Sequence, residues 1–196
     1  MPAPDIIFLN GTSSSGKTTL SKALQYQMEA VYLHVALDAF AIMFPLSKLG
    51  DQDLCASAEP KLREGFYRSV AALVGCGNKV IVDTVAHEPC AQRFKPLFMF
   101  FNVVYVAVKC PAEELQRREK ARGDRSIGLA LSQLPEMHSF LHYDVEVDTH
   151  EHNAEECAAL IKQFIASSSC SNDALGAADA IVSDSRSLDR GAGRSL

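Results

Sequence analysis

Short apolar runs and longer amphipathic stripes alternate along the first 166 residues. Ile6-Ile7-Phe8-Leu9, residues 79–83 (KVIVD) and residues 103–108 are apolar runs bounded by polar residues, and residues 32–37 form one interrupted by His34, the pattern of strands buried on both faces. Residues 143–147 (YDVEV) read as a brief fifth strand. Between the runs, apolar positions recur every three or four residues. Leu20, Ala23, Leu24 and Met28 stripe a helix predicted over 16–30, and Leu62, Phe66, Val70 and Leu73 stripe another over 61–74. Glu88-Pro89 opens a helix that runs to about Phe98. Pro111 opens the next, with Glu113 and Glu114 where the dipole favours carboxylates and Gly123 as its stop. Asn153 and Glu156 form an N-cap pair for a last helix. Residues 38–61 are predicted irregular or short-helical, with Pro45, Gly50 and Pro60 as breakers. Residues 123–142 are predicted to be a mobile connection with short helical pieces.

This alternation predicts an α/β fold of three layers, a five-stranded parallel sheet with helices on both faces. Residues 1–166 form a single domain, and from Ser167 the composition collapses into Ser, Ala, Gly and Asp, so 167–196 is expected to be a poorly ordered tail. Ligands on such sheets bind beyond the carboxyl ends of the strands, which directs attention to Asn10, Asp38, Asp83, Lys109 and Asp148.

Composition narrows the class. With 196 residues, 47% of them hydrophobic, the chain can bury the core of one full domain. Its 19 basic and 24 acidic residues leave a net charge of −5, so no polycationic surface asks for nucleic acid. No apolar run reaches membrane-spanning length, and the first strand begins too early to leave room for a signal peptide. Six cysteines, none in a C-x-x-C pair, read as buried reduced thiols. The expectation is a cytoplasmic enzyme with a small-molecule substrate and no nucleic-acid or membrane partner; homo-oligomerisation stays open.

The chemistry starts after the first strand. Gly11-Thr12-Ser13-Ser14-Ser15-Gly16-Lys17-Thr18 fits G-x-x-x-x-G-K-[ST], the phosphate loop, between a strand and a helix as the motif requires. The glycines let successive N–H groups turn inward as an anion nest, and the following helix, with Thr19, adds its N-terminal dipole. Lys17 is placed to reach the outer phosphates and Thr18 to offer a hydroxyl to Mg²⁺. ATP and Mg²⁺ are therefore the expected cofactors.

Other residues fall into place around that loop. Asp38 closes the second predicted strand, where it can orient a substrate hydroxyl and take its proton, or cap a short helix. Asp83 ends an apolar strand, as an acid that holds Mg²⁺ opposite Thr18, or substrate. Arg118, Arg122 and Arg125 share a helical face near Arg117; Arg122 and Arg125 are the favoured lid residues over a nucleotide. Phe40, Met43 and Phe44 form a stripe that reads as core or as an acceptor-pocket wall. His138 and His142 lack companions for a metal site. Asn78-Lys79 begins a guanine-specifying motif that Ile81 breaks.

GTSSSGKT at 11–18, LDAF at 37–40, FPL at 44–46, IVD at 81–83, REKARGDR at 118–125 and YDVEVDT at 143–149 together resemble the chloramphenicol phosphotransferase family of phosphate-loop kinases, over roughly residues 5–166. The resemblance implies a sheet of order 2-3-1-4-5 and an arginine-bearing lid at about 122–142. It also implies ATP-dependent phosphorylation of a primary hydroxyl of chloramphenicol, an antibiotic-resistance reaction. Asp38 matches the base, and Arg125, with Arg122 beside it, matches the lid arginine; Lys17 completes the catalytic set. Thr84 stands where the family's kinase has a second acid, and Val85-Ala86-His87-Glu88 differs from its glycine-containing loop. Both departures lie where an acceptor would sit, so Thr84 and His87 join Asp38, Phe40, Phe44 and Asp83 as candidate acceptor contacts. Two other readings remain: a metabolic kinase of a nucleoside, nucleotide or sugar, and a non-catalytic ATP-binding module.

Overall fold

The structure, a computed structural model, describes residues 3–45, 47, 50–123 and 128–168. Five strands, β1 (Ile6–Asn10), β2 (Tyr32–Ala36), β3 (Lys79–Thr84), β4 (Val103–Lys109) and β5 (Val145–Asp148), form one sheet of order β2-β3-β1-β4-β5. All four pairings are parallel; at the carboxyl end of β1, Asn10 lies opposite Thr84 on one side and Ala107 on the other. The helices are α1 (Lys17–Gln27), α2 (Leu37–Ala41), α3 (Gln52–Gly75), α4 (Glu88–Phe98), α5 (Ala112–Arg122) and α6 (Leu129–Gln133). A 3₁₀ turn follows at Leu134–Glu136, and a last helix, α7, covers residues 154–168. The expected three-layer fold and strand order are what is observed.

The period-two alternation of β1 divides the core. Ile7 and Leu9 pack with Leu20 and Leu24 of α1 and with Ala158 and Ile161 of α7. Ile6 and Phe8 face the other way, onto Phe66, Tyr67 and Val70 of α3 and Phe94 and Phe98 of α4. Phe8 meets Phe94 at 4.7 Å between centroids, and Tyr67 meets Phe94 at 5.2 Å, in tilted geometry that suits ring quadrupoles.

Three expectations need correction. The region 38–61 is more helical than its breakers suggest. Helix α3 starts at Gln52, and Pro60 lies inside it. Asp51 caps its start, accepting from the Leu54 N–H at 3.0 Å, and Leu54, Ala56, Ala58 and Glu59 favour helix strongly enough to carry the chain through the proline. Asp38 does not end a strand: β2 stops at Ala36, and Asp38 lies in the first turn of α2. The fifth strand is shifted to Val145–Asp148. Gly123 does end α5, with φ of 68°.

At Gly11 the fold has no room for a side chain. A Cβ there would collide with the Val108 carbonyl of β4 and sit 2.8 Å from Ser15 Oγ. Gly11→Ala should lower the melting temperature by roughly 3–12 °C. Gly65→Ala, on an open face of α3 where nothing lies within 4 Å, should leave it unchanged or slightly raised in the same thermal scan.

Candidate active site

The site begins with a buried amide. Asn10, the last residue of β1, donates from Nδ2 to Tyr143 Oη at 2.8 Å, to the Met137 carbonyl at 3.2 Å and to the Ala86 carbonyl at 3.3 Å. Its Oδ1 accepts from the Ala86 N–H at 2.7 Å. One side chain thus ties the loop after β3 and the segment after α6 to the root of the phosphate loop. Beyond it the backbone turns left-handed twice, at Ser14 (φ 62°) and Gly16 (φ 91°), which aims successive N–H groups inward. Lys17 is buried and folded back, its Nζ donating to the Gly11 and Thr12 carbonyls at 2.9 and 2.7 Å.

A clamp holds the loop from outside. Thr149, just past β5, donates from Oγ1 to the Ser15 carbonyl at 2.8 Å. Arg118 of α5 binds Thr149 twice, from Nη1 to Oγ1 at 3.0 Å and from Nη2 to the carbonyl at 2.8 Å. From the opposite side, Gln133 Oε1 accepts from the Ser13 N–H at 2.7 Å, so a side-chain carbonyl occupies one arm of the nest. The helix carrying Gln133 is itself pinned by Glu119, fully buried in α5, which accepts from the Gly128 and Ala130 N–H groups at 2.9 and 2.7 Å.

Asp83 lies buried at the mouth of the nest. Its Oδ2 accepts from Thr18 Oγ1 at 2.7 Å and lies 3.3 Å from His34 Nε2. Burial pushes this carboxyl upward, but the His34 hydrogen bond, the Lys17 charge and the Thr18 hydroxyl together hold it below its ordinary value. The Thr18 hydroxyl and the Asp83 carboxylate are hard oxygen donors of the kind Mg²⁺ takes. Among the described residues no cluster of three or more His, Cys, Asp or Glu could hold a metal, so a cation here would draw its other ligands from water and phosphate oxygens.

These residues surround one cleft of about 630 Å³. Ser13, Ser14, Gly16, Lys17, Thr18 and Thr19 line it, with Asp38 of α2, Asp83 and Thr84 of β3, and Arg122 at the end of α5. Gly11, Thr12 and Ser15 are buried within the loop. His87 lines a smaller adjoining cavity of about 210 Å³ that shares Arg63, Val85 and Gln133 with the cleft. The aromatic stripe is not brought there: Phe40 packs edge-on against Phe66 in the core at 5.2 Å, and Phe44 is half-buried away from the lining of either cavity. Arg125 lies outside the described residues. His138 stacks edge-on against Tyr143 at 5.3 Å, and His142 is exposed. Five cysteines among the described residues are free thiols, three of them buried.

Several contributors were not among the candidate residues: His34 and Gln133 lie in no motif, and Glu119 and Thr149 lie inside REKARGDR and YDVEVDT without a role assigned. His34, Glu119, Gln133 and Thr149 reach the site from separate elements. Glu119 had one local signal, its place four residues after Leu115 on the buried face of a charged helix.

Residues 4–166 match the family model described as chloramphenicol phosphotransferase-like protein. Candidate O-phosphotransferases of two Mycobacterium tuberculosis strains are 30% identical to the chain, across 76% of it and 76% of their own length. Among solved structures, shikimate kinase from Acinetobacter baumannii, in complex with shikimate, superposes with a TM-score of 0.65 at 14% identity, covering 85% of this chain and 95% of that one. The APS kinase of Mycobacterium tuberculosis, in complex with AMPPNP and APS, gives 0.63 at 12% identity, covering 84% and 99%. At such identities the likeness is one of fold.

The buried Glu119 anchor is testable. Glu119→Ala strands the buried Ala130 N–H and the half-buried Gly128 N–H and should cost about 2–4 kcal/mol in urea unfolding, whereas Glu119→Gln, with one carbonyl acceptor left, should cost about half. Hydrogen exchange at the Ala130 amide should accelerate in the same order.

Proposed function

The chain belongs to the chloramphenicol phosphotransferase-like family, on the phosphate-loop kinase fold, and we propose that it is an ATP- and Mg²⁺-dependent O-phosphotransferase acting on a hydroxyl of a small molecule. The observation that carries this reading is the convergence on one cleft of the phosphate loop, the Thr18–Asp83 pair and the Asp38 carboxylate.

In this reading the nest amides and the dipole of α1 receive the β- and γ-phosphates. Lys17 exchanges the Gly11 and Thr12 carbonyls for phosphate oxygens. Mg²⁺ between Thr18 and Asp83 would neutralise charge on the phosphates. Asp38 orients the acceptor hydroxyl and takes its proton as the acceptor oxygen bonds to the γ-phosphorus and the bond to ADP breaks. In a loose transition state that proton leaves late, so the carboxylate acts mainly by position. Arg122 and Arg125 supply cationic cover to the transferring group.

Chloramphenicol, or a similar antibiotic, is the first acceptor to test. Phosphorylation adds nearly two negative charges, and their desolvation opposes binding in a tight target site, which makes the reaction one of resistance. A second reading, a cytoplasmic kinase of a compact polar metabolite, is favoured by one observation: Phe40 and Phe44 stand off the cleft, so among the described residues the cleft has no aromatic wall of the kind a nitrophenyl ring would use.

Mass spectrometry of chloramphenicol incubated with enzyme, ATP and Mg²⁺ should show a singly phosphorylated product. Asp38→Asn should reduce its rate by about 10²–10⁴-fold while AMPPNP binding persists. An unmodified drug, with AMPPNP still bound, would leave the metabolite kinase standing and remove chloramphenicol. If AMPPNP does not bind, the nucleotide reading itself falls.

A further inference from the structure

At the junction of the two cavities, Arg63 of α3 and Thr84 of β3 leave a hydrogen-bonding set incomplete. Arg63 lines both cavities, and its side chain is 17% exposed. Its Nε pairs with Glu59, and its Nη1 donates to the Val85 carbonyl at 2.8 Å and to Cys90 Sγ at 3.7 Å. Those contacts fix the guanidinium in place but engage only two of its three nitrogens. Thr84, next in the chain to Val85, lines the cleft at 1% exposure, and its Oγ1 has no hydrogen-bond partner. The Tyr67 hydroxyl beside it is buried and equally unpartnered, though near enough for Thr84 to act on the phenol. With no hydrogen bond made by geometry, the Thr84 O–H is uncommitted.

A buried hydroxyl without a partner, on a residue that lines a cavity, marks where a ligand or water completes the set. What is missing is an oxygen-rich acceptor. Arg63 Nη2 and the Thr84 hydroxyl both donate, and a guanidinium edge suits a planar two-oxygen group. Glu59, half-exposed beside Nε, already offsets part of the Arg63 charge. A phosphate dianion would need more cations than that, whereas a carboxylate monoanion fits.

We propose that Arg63 and Thr84 form the acceptor's recognition subsite, and that the acceptor is a small hydroxylated carboxylic acid. Its carboxylate sits on Arg63 Nη2 and Thr84 Oγ1, which leaves a hydroxyl to face Asp38 and the phosphate loop across the same cleft. The inference rests on the kinase reading and narrows its acceptor.

The test compares glycerate, gluconate and quinate with their methyl esters and with chloramphenicol. It scores phosphorylated product by mass spectrometry and binding by saturation-transfer NMR with AMPPNP and Mg²⁺ present. At least one acid should be phosphorylated, with kcat/KM about tenfold or more above its ester. Arg63→Met should raise the KM for that acid about tenfold or more and leave the Kd for AMPPNP within about threefold. Because Arg63 also braces Val85, thermal melts accompany that variant, and the near-isosteric Thr84→Val, expected to raise the same KM about fivefold, provides a second readout. The inference is overturned if no acid binds or reacts, if esters or chloramphenicol react as well as the acids, or if both variants leave the acid's KM unchanged, as water filling the set would predict. Failure of AMPPNP to bind the wild type would instead remove the kinase reading on which the inference stands.

Discussion

Everything functional in this molecule hangs from the curvature of the six residues between β1 and α1, and that curvature is imposed from outside as much as from within. Ser14 is held left-handed without the freedom of a glycine, a conformation that persists only where surrounding contacts over-determine it. Those contacts are the Thr149 hydroxyl on the Ser15 carbonyl, Arg118 behind Thr149, and Gln133 on the Ser13 N–H. Asn10 anchors the base of the loop to two further segments, through Ala86 and through Met137 and Tyr143. The nest is therefore a preorganised anion site, shaped before any anion arrives, and the cost of shaping it is met by the packing of distant elements.

The same logic governs charge. Asp83 is a buried carboxylate that stays ionised because a hydroxyl, an imidazole and an ammonium group all favour its charged form over the opposing effect of burial. Across the cleft, Arg63 is held by Glu59 and a backbone carbonyl, and Arg118 by Glu114 and Thr149. Each of these ions has a fixed partner at its back and the cleft in front. Such an arrangement is suited to phosphoryl transfer, where the protein contributes position and field rather than covalent chemistry.

Much of this was legible in the chain because its signals are local. The phosphate loop, the strand runs, the Gly123 stop and the Asn153–Glu156 capping box, whose two reciprocal bonds both measure 2.9 Å, each lie within a few residues. The 2-3-1-4-5 order came from family resemblance, which compresses long-range information that periodicity lacks. What local reading missed is what distance decides. Pro60 looked like a boundary, yet a capped helix with good formers on either side carries through it. Phe40 could have faced ligand or core, and only the position of Phe66, 26 residues on, settles that it packs inward. His34, Glu119, Gln133 and Thr149 are ordinary residues made functional by partners 49, 11, 120 and 134 positions away.

That last separation carries a consequence for how the molecule comes to exist. The phosphate loop leaves the ribosome well before the hydroxyl that braces Ser15, which belongs to Thr149, 134 residues further on. Synthesis runs at about 5–20 residues per second, so the loop waits on the order of ten seconds for its brace to be made. For the first half of that interval β1 also lacks both of its sheet neighbours, since Val80 and Val103, which flank Ile6, lie more than 70 residues downstream. Until they arrive, the apolar residues of β1 have no sheet to bury them. The shape of the loop is thus completed by residues made long after the loop itself.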